Sequence, residues 1–136
     1  TGTVEVAASL NAQQYFGNAS VTFKYLRQEG VYKISPTTGP VLGGTLLNVY
    51  GTHMSNGTDY RCKFNDTIVP ATFEAARHVL SCTTPAVAES TSVGSTSAFE
   101  VSLNAQQYTT DGVRFAYFSA PSVSSFNPRA GPSFGE

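Results

Sequence analysis

Cys62 and Cys82 are the two residues of this 136-residue chain that could do the most varied chemistry. A free cysteine thiolate can attack an electrophile or bind a metal ion, whereas two thiols that meet in an oxidising compartment form a disulfide. Both cysteines lie in segments of alternating apolar character, so two buried free thiols in a cytosolic protein are one interpretation. A bond between them would instead close a loop of about 20 residues and add about 3 kcal/mol in the chain-entropy model.

Three N-x-[ST] sequons favour the secretory route and, with it, the disulfide. They begin at Asn18, Asn56 and Asn65, in or beside turn-like stretches that could accommodate a glycan. We expect an N-linked glycan on at least one of them, and first on Asn56, because Asn56-Gly-Thr58 lies in the loop after Gly51. Asn65 starts a tight turn, where we expect crowding. The sequons and cysteines together predict a glycoprotein that is extracellular or at the cell surface.

Other reactive side chains are scattered along the chain. His53 and His78 lack the spacing of a metal-binding pair, no acidic calcium-binding loop is present, and no Gly-x-Ser-x-Gly motif occurs. We therefore predict no catalytic site, no metal and no cofactor, and hence no enzyme.

Charge and hydropathy argue against two further classes of partner. Eight basic and nine acidic residues give a net charge of −1 and form no basic patch, so nucleic acid is not an expected partner. No apolar run approaches the roughly 20 residues that a membrane helix needs, so direct insertion into a membrane is not expected either.

The heptapeptide SLNAQQY occurs twice, at residues 9–15 and 102–108, which are 93 positions apart. We call these two segments the repeat tips. The similarity continues on both sides, and after a one-residue slip residues 21–25 correspond to residues 113–117. A period of about 92 residues has the size of a domain and predicts a tandem array. Tyr15 and Tyr108, one in each repeat tip, are candidates for inter-domain contact.

The rest of the pattern is typical of strands, since no stretch has a convincing 3.6-residue apolar period. Pro70 indicates an edge strand or a strand break, and Gly43 and Gly44 are expected to adopt positive φ in a turn. The Ser- and Thr-rich segment 86–97 is read as a flexible loop, with an O-glycosylated patch as the alternative. About seven short strands predict an antiparallel β-sandwich, with strands expected at 46–50, 60–64, 67–73, 78–82, 99–103 and 113–117.

The glycine- and proline-rich segment from Ile34 to Thr45, followed by Val49-Tyr-Gly51, resembles the start of an IPT/TIG (immunoglobulin-like, plexin, transcription factor) domain. Cys62-Lys-Phe64 and Leu80-Ser-Cys-Thr-Thr-Pro85 are similar to later parts of that family's pattern. The resemblance implies an all-β, immunoglobulin-like antiparallel β-sandwich in a tandem array. The two cysteine motifs resemble the extracellular branch of the family, in which the two cysteines are bridged across the sandwich.

The resemblance divides the chain into three parts. Residues 31–118 look like a complete IPT/TIG domain. Residues 1–26 look like the C-terminal strands of a preceding repeat, and residues 121–136 look like the first strand of a following one.

Two functions are compatible with these features. The first is a structural or adhesive extracellular repeat module in a stalk, fibre or filament, whose partners are neighbouring copies of the repeat or filament subunits. The near-identity of the repeat tips favours this function, because regular arrays need equivalent junctions. The alternative is a spacer or protein-binding module in the ectodomain of a cell-surface receptor.

Overall fold

The computed structural model describes residues 2–25, 27–88, 94, 96–131 and 133. This part of the chain forms β-strands and no helix. Part of the Ser- and Thr-rich segment, residues 89–93 and 95, lies outside the described residues. The strands are β1 (Gly2–Ala8), β2 (Phe16–Tyr25), β3 (Gly30–Ser35), β4 (Thr38–Pro40), β5 (Leu46–Thr52), β6 (Arg61–Phe64), β7 (Thr67–Glu74), β8 (Val79–Thr83), β9 (Thr96–Ser102) and β10 (Arg114–Phe118).

Strands β3 to β10 form the immunoglobulin-like β-sandwich that the sequence predicts. They are hydrogen-bonded in the order β3-β5-β8-β7-β6-β9-β10-β4. Neighbouring strands are antiparallel, except that β10 and β4 are parallel. Strands β3, β4 and β10 therefore run in the same direction. As β3 is the first of these strands and β10 the last, the chain enters the sandwich at one end and leaves it at the opposite end.

The order of strands divides at β7 into two sheets, one with β3, β5 and β8 and the other with β6, β9, β10 and β4. Strand β7 belongs to both sheets. Residues 67–70 pair with β6, and residues 71–74 pair with β8. Pro70 is the last residue paired with β6, so it marks the change of sheet and not an edge. A proline, which has no N–H to donate, is tolerated here because the ladder changes partner at this point.

The core lies between the two sheets and is largely aromatic and branched aliphatic. On β6, Cys62 and Phe64 are buried, whereas Arg61 and Lys63 point outward, as the sequence alternation predicts. The Phe64 ring packs edge-on against Phe99 at a centroid distance of 5.1 Å and against Phe115 at 5.8 Å. The remaining fully buried side chains come from strands of both sheets and from the β4–β5 turn, and include Leu47, Val49, Leu80, Val101, Tyr117 and Val41.

The turn between β4 and β5 depends on its glycines. Gly43 and Gly44 have φ of 73° and 80°, which confirms the predicted positive φ. A Cβ atom on Gly43 would lie 2.6 Å from the backbone nitrogen of Ala86, so a larger residue would not fit. The turn therefore brings residues 41–44 against the segment that follows β8.

Strands β1 and β2 form a separate two-stranded hairpin ahead of the sandwich. Where the sequence repeats, its pairing is the same as that of β9 and β10, which occupy the corresponding positions one period later. The three equivalent pairs are Thr3–Lys24 with Thr96–Ala116, Val4–Phe23 with Ser97–Phe115, and Glu5–Thr22 with Ala98–Arg114.

The two hairpins differ in what covers them. Phe115 and Tyr117 on β10 are 0% and 1% exposed, whereas their counterparts Phe23 and Tyr25 on β2 are 55% and 57% exposed. The same strand pairing therefore forms part of a closed core in one place and an open apolar face in the other.

Residues 119–131 pair with no other strand, and Val123 and Phe126 are exposed. We expect residues 121–136 to supply the first strand of a following repeat. Such a strand would pair with other strands of that repeat, so its formation stays a prediction.

The two equivalent phenylalanines allow a direct test of this difference. We expect Phe115→Ala to lower the free energy of unfolding by about 3–5 kcal/mol, because it opens a cavity in the closed core. Phe23→Ala should change it by less than about 0.5 kcal/mol, because that side chain lies on an open face. Chemical denaturation followed by far-ultraviolet circular dichroism measures both values. Equal losses in the two variants would contradict this account of the core.

Candidate functional site

The structure joins Cys62 of β6 and Cys82 of β8 in a disulfide that links the two sheets across the core. The two Cα atoms are 6.5 Å apart, and both residues are buried. In the strand ladders Cys62 is opposite Val69 and Cys82 is opposite Ala71, so the bond lies where β7 passes between the sheets. With both cysteines of the chain in this bond, no thiol is left as a nucleophile or metal ligand.

The histidines and carboxylates remain dispersed in the fold. Within the described ranges no group of three or more His, Cys, Asp or Glu side chains is placed to hold a metal ion. His53 and His78 occupy turns with φ of 56° and 53°. The structure therefore does not bring the two histidines together as a metal site.

The charged side chains on the outer face of β6 are engaged in ion pairs. Lys63 Nζ donates to Glu100 Oε2 at 2.8 Å, and this hydrogen bond raises the pKa of Lys63. Arg61 Nε donates to Asp59 Oδ1 at 2.7 Å. A lysine whose pKa is raised stays protonated at neutral pH, so it cannot serve as a general base.

The three sequon asparagines have different surroundings. Asn18 is exposed in a bulge of β2, where residues 18–21 lie opposite Val6, and its Oδ1 accepts from Ser20 N at 3.1 Å. Asn56 is exposed in the turn between β5 and β6, with its Nδ2 3.3 Å from Ser55 Oγ. In the part of the chain that the structure describes, each of these side chains is bonded to a residue at most two positions away, so a glycan on its Nδ2 would displace no bond to another strand.

Asn65 is more constrained than the other two. Its Oδ1 accepts from Ala98 N at 2.9 Å, and its Nδ2 donates to Ser97 Oγ at 3.2 Å. These bonds hold the β6–β7 turn against β9. A glycan on Nδ2 would have to share or displace the bond to Ser97, which agrees with the crowding expected from the sequence.

The two repeat tips have the same internal geometry. Asn104 Oδ1 accepts from the backbone N–H groups of Gln106 and Gln107 at 3.0 and 3.1 Å, and Asn104 Nδ2 donates to Gln107 Oε1. In the first copy Asn11 makes the equivalent three bonds with Gln13 and Gln14. The residue after each asparagine has φ near 58°, so both tips adopt the same Asx turn.

The surroundings of the tips differ. Leu103 is 3% exposed, and its carbonyl oxygen accepts from the N–H groups of Thr58 and Asp59. Tyr108 is half-buried, with the Lys63 ammonium 5.3 Å from its ring centroid. Tyr15 is 67% exposed. The structure thus places Tyr108 against its own domain and brings no described residue of another module to either tyrosine.

A cleft of about 330 Å³ lies between the second repeat tip and the end of the first hairpin. We call it the junction cleft. Sequence reasoning missed its polar residues, Asn104 and Gln107, although the repeated Asn-x-Gln-Gln pattern could have indicated them. Its walls are formed by Phe23, Lys24, Tyr25, Arg27, Gln28 and Glu29 on one side and by Leu103, Asn104 and Gln107 on the other.

A second, shallow cleft of about 390 Å³ lies over β5, β7 and β8. It is lined by apolar and hydroxyl side chains, among them Leu46, Thr72 and Ser81, and by no charged side chain. Among these described lining residues there is no group for acid–base chemistry.

These features define a disulfide-linked, immunoglobulin-like sandwich. The model of the IPT/TIG domain matches residues 31–117, more than half of the chain, and the chain belongs to that family. The match begins at β3 and ends at the penultimate residue of β10, so it covers the strands of the sandwich.

Solved structures of the plexin A4 extracellular region share the fold. One superposes with a TM-score of 0.59 at 19% identity and covers 76% of this chain and 8% of that one. A second has a TM-score of 0.54 at 19% identity and covers 68% and 9%. No curated protein sequence matches the chain. The family and the disulfide point to an extracellular or cell-surface domain.

No helix in the described part of the chain is long and apolar enough to cross a bilayer.

We predict that Asn56 carries an N-linked glycan and that Asn65 carries less or none, because only Asn65 is bonded to a neighbouring strand. The test is the intact mass of protein secreted from a eukaryotic cell, before and after glycosidase. Thr58→Ala should remove the Asn56 glycan without touching the asparagine, whereas Thr67→Ala should change glycan mass little. A larger loss of glycan mass from Thr67→Ala would contradict the prediction.

Proposed function

We propose that this chain is a non-catalytic module of a cell-surface receptor ectodomain, acting as a spacer or as a protein-binding surface. The observation that carries the proposal is the match of the whole sandwich to an IPT/TIG domain whose solved neighbours are domains of a plexin extracellular region. This favours the receptor alternative over the fibre that the repeat alone favoured.

The geometry of the sandwich suits a spacer. Because β10 is parallel to β4, the chain enters near Gly30 and leaves after Phe118 at the opposite end. Residues 30–40 run along this axis, and at about 3.3 Å per residue they would span about 35 Å. Modules connected in series would therefore extend an ectodomain and not fold back on it.

The disulfide supports a mechanical role as well. It covalently joins the two sheets at the crossing of β7, so the sheets cannot separate while the bond is intact. In the chain-entropy model a loop of about 20 residues contributes about 3 kcal/mol. A module that holds two neighbours at a distance benefits from such resistance to opening.

The hairpin of β1 and β2 supports a tandem arrangement. Its pairing repeats that of β9 and β10, and its apolar face, which includes Phe23 and Tyr25, is open. We propose that the hairpin is the end of a preceding IPT/TIG repeat, and that the strands of that same repeat, equivalent to residues 31–83, cover this face.

A structural array in a stalk, fibre or filament is the second candidate function, and the repeated tips favour it. The two candidates differ in how the array of modules ends. A receptor needs a membrane anchor after a limited number of modules, whereas a fibre needs many modules or a contact that polymerises them.

We expect the complete polypeptide to carry a membrane-spanning helix after its IPT/TIG modules and to reach the cell surface. Labelling intact cells with a membrane-impermeant biotin reagent, followed by detection of the full-length protein, tests this expectation. A cytosolic protein in the same cells is the control and should stay unlabelled. A product with many repeats and no membrane helix, released as polymers, would support the fibre and overturn the receptor.

The tandem arrangement has a separate test. In a chain with a second copy of residues 31–94 placed directly ahead of Gly2, the added strands and the hairpin have the length of one complete repeat. We expect the backbone amides of β1 and β2 to become strongly protected from hydrogen exchange, because the open face becomes a closed core.

The matched control carries Phe64→Asp in the added copy only. Phe64 contacts Phe99 and Phe115, whose counterparts are Val6 and Phe23. This variant should therefore leave the hairpin as weakly protected as in the original chain, where it is folded but opens readily. Protection that is equally low with the unmodified added copy would overturn the tandem proposal.

A further inference from the structure

The loop between β9 and β10 meets the chain that enters the sandwich at two places. The first is the junction cleft, where Asn104 and Gln107 face the end of β2 and residues 27–29. The second is a direct bond, in which Val31 N donates to Asp111 Oδ2 at 2.7 Å. One loop of the domain therefore approaches the end of the first hairpin and also holds the first residues of β3.

The connection between the hairpin and the sandwich is short. Strand β2 ends at Tyr25 and β3 begins at Gly30. The residues between them can span at most about 17 Å even when fully extended. The hairpin end and the repeat tip are therefore kept close together by the chain itself, so a weak contact between them acts at a high effective concentration.

The polar groups on the two walls of the junction cleft are complementary. The incoming segment presents Lys24, Arg27 and Glu29, which carry both signs of charge. The side-chain amides of asparagine and glutamine can donate and accept hydrogen bonds, so they can face either sign. The Asx turn holds Asn104 and Gln107 in one orientation by bonds within the tip, and this pre-organisation lowers the entropy lost on contact.

The first repeat tip is a natural comparison. Asn11 makes the same bonds within its own tip, but Leu10 beside it is fully exposed, whereas Leu103 is buried. The junction cleft includes no residue of the first tip. An effect that is specific to Asn104 therefore reports on the surroundings of the second tip, which are the cleft and the contact of Leu103 and Asn104 with Thr58 and Asp59, and not on the turn itself.

We propose that the repeat tip of an IPT/TIG module is the contact surface for the preceding module, and that this contact sets the angle between the two. The surface consists of Asn104 and Gln107, and its partner is the end of β2 with the linker at 27–29. Asp111 is a positioning residue that fixes the start of β3 next to this surface. The proposal rests on the tandem arrangement proposed above, and the inter-domain role expected for Tyr15 and Tyr108 stays a prediction.

The test is the orientation of the hairpin relative to the sandwich in the 136-residue chain. Residual dipolar couplings of backbone amides are measured in a weakly aligning medium, and alignment tensors are fitted separately to residues 2–25 and 31–117. We expect one common tensor for the original chain. Asn104→Ala should reduce the tensor magnitude of the hairpin relative to the sandwich, and so should Gln107→Ala.

Asn11→Ala and Gln14→Ala are the matched controls, because they remove the same bonds from the tip that lies outside the cleft. They should leave the common tensor intact. Two different tensors in the original chain, or equal effects of Asn11→Ala and Asn104→Ala, would overturn the proposal. Hairpin amides with the chemical shifts of an unfolded chain would also overturn it, since the surface would then have no folded partner.

These outcomes are distinguishable from failure of the tandem arrangement. Hydrogen exchange in the chain with the added copy reports whether the hairpin completes a module, whatever the angle between modules. A hairpin that is protected from exchange but has an alignment tensor different from that of the sandwich would support the tandem arrangement and overturn only the proposed contact at the repeat tip.

Discussion

Strand β7 is the constraint on which the sandwich depends, because among the described strands it alone pairs in both sheets, through residues 67–70 and 71–74. The Cys62–Cys82 disulfide links the same two sheets at the same place. A continuous strand and a covalent bond thus act together, and the aromatic core of Phe64, Phe99 and Phe115 is closed beside them. The two sheets could separate only if β7 lost its pairing with one of them and the disulfide were broken.

Several of the reactive side chains of this module are engaged with one another. Its outward charges on β6 are used in ion pairs with Asp59 and Glu100. Its cysteines are joined in one bond, and its chain ends leave at opposite ends of the sandwich.

The two copies of the hairpin separate local from tertiary effects within one molecule. The Asx turns around Asn11 and Asn104 are alike because their hydrogen bonds lie within four residues. The burial of Phe23 and Phe115 differs because it depends on strands distant in the chain. Local geometry therefore repeats wherever the sequence repeats, whereas burial is achieved only where a full set of strands is present.

The sequence by itself determined the all-β class, the approximate positions of β5 to β10, the outward direction of Arg61 and Lys63, and the positive φ of Gly43 and Gly44. These features depend on two-residue periodicity and on the steric limits of single residues, which are local properties. The family pattern added the expected bridge between Cys62 and Cys82.

Only the tertiary structure decided that Pro70 marks a change of sheet, that Tyr108 packs beside Lys63, and that Asn65 is bonded to β9. It also placed Asn104 and Tyr25 on the walls of one cleft, although the two are far apart in sequence. Each of these depends on which strands become neighbours. That choice is made by the closure of the core between the two sheets, and a pattern of alternating residues does not contain it.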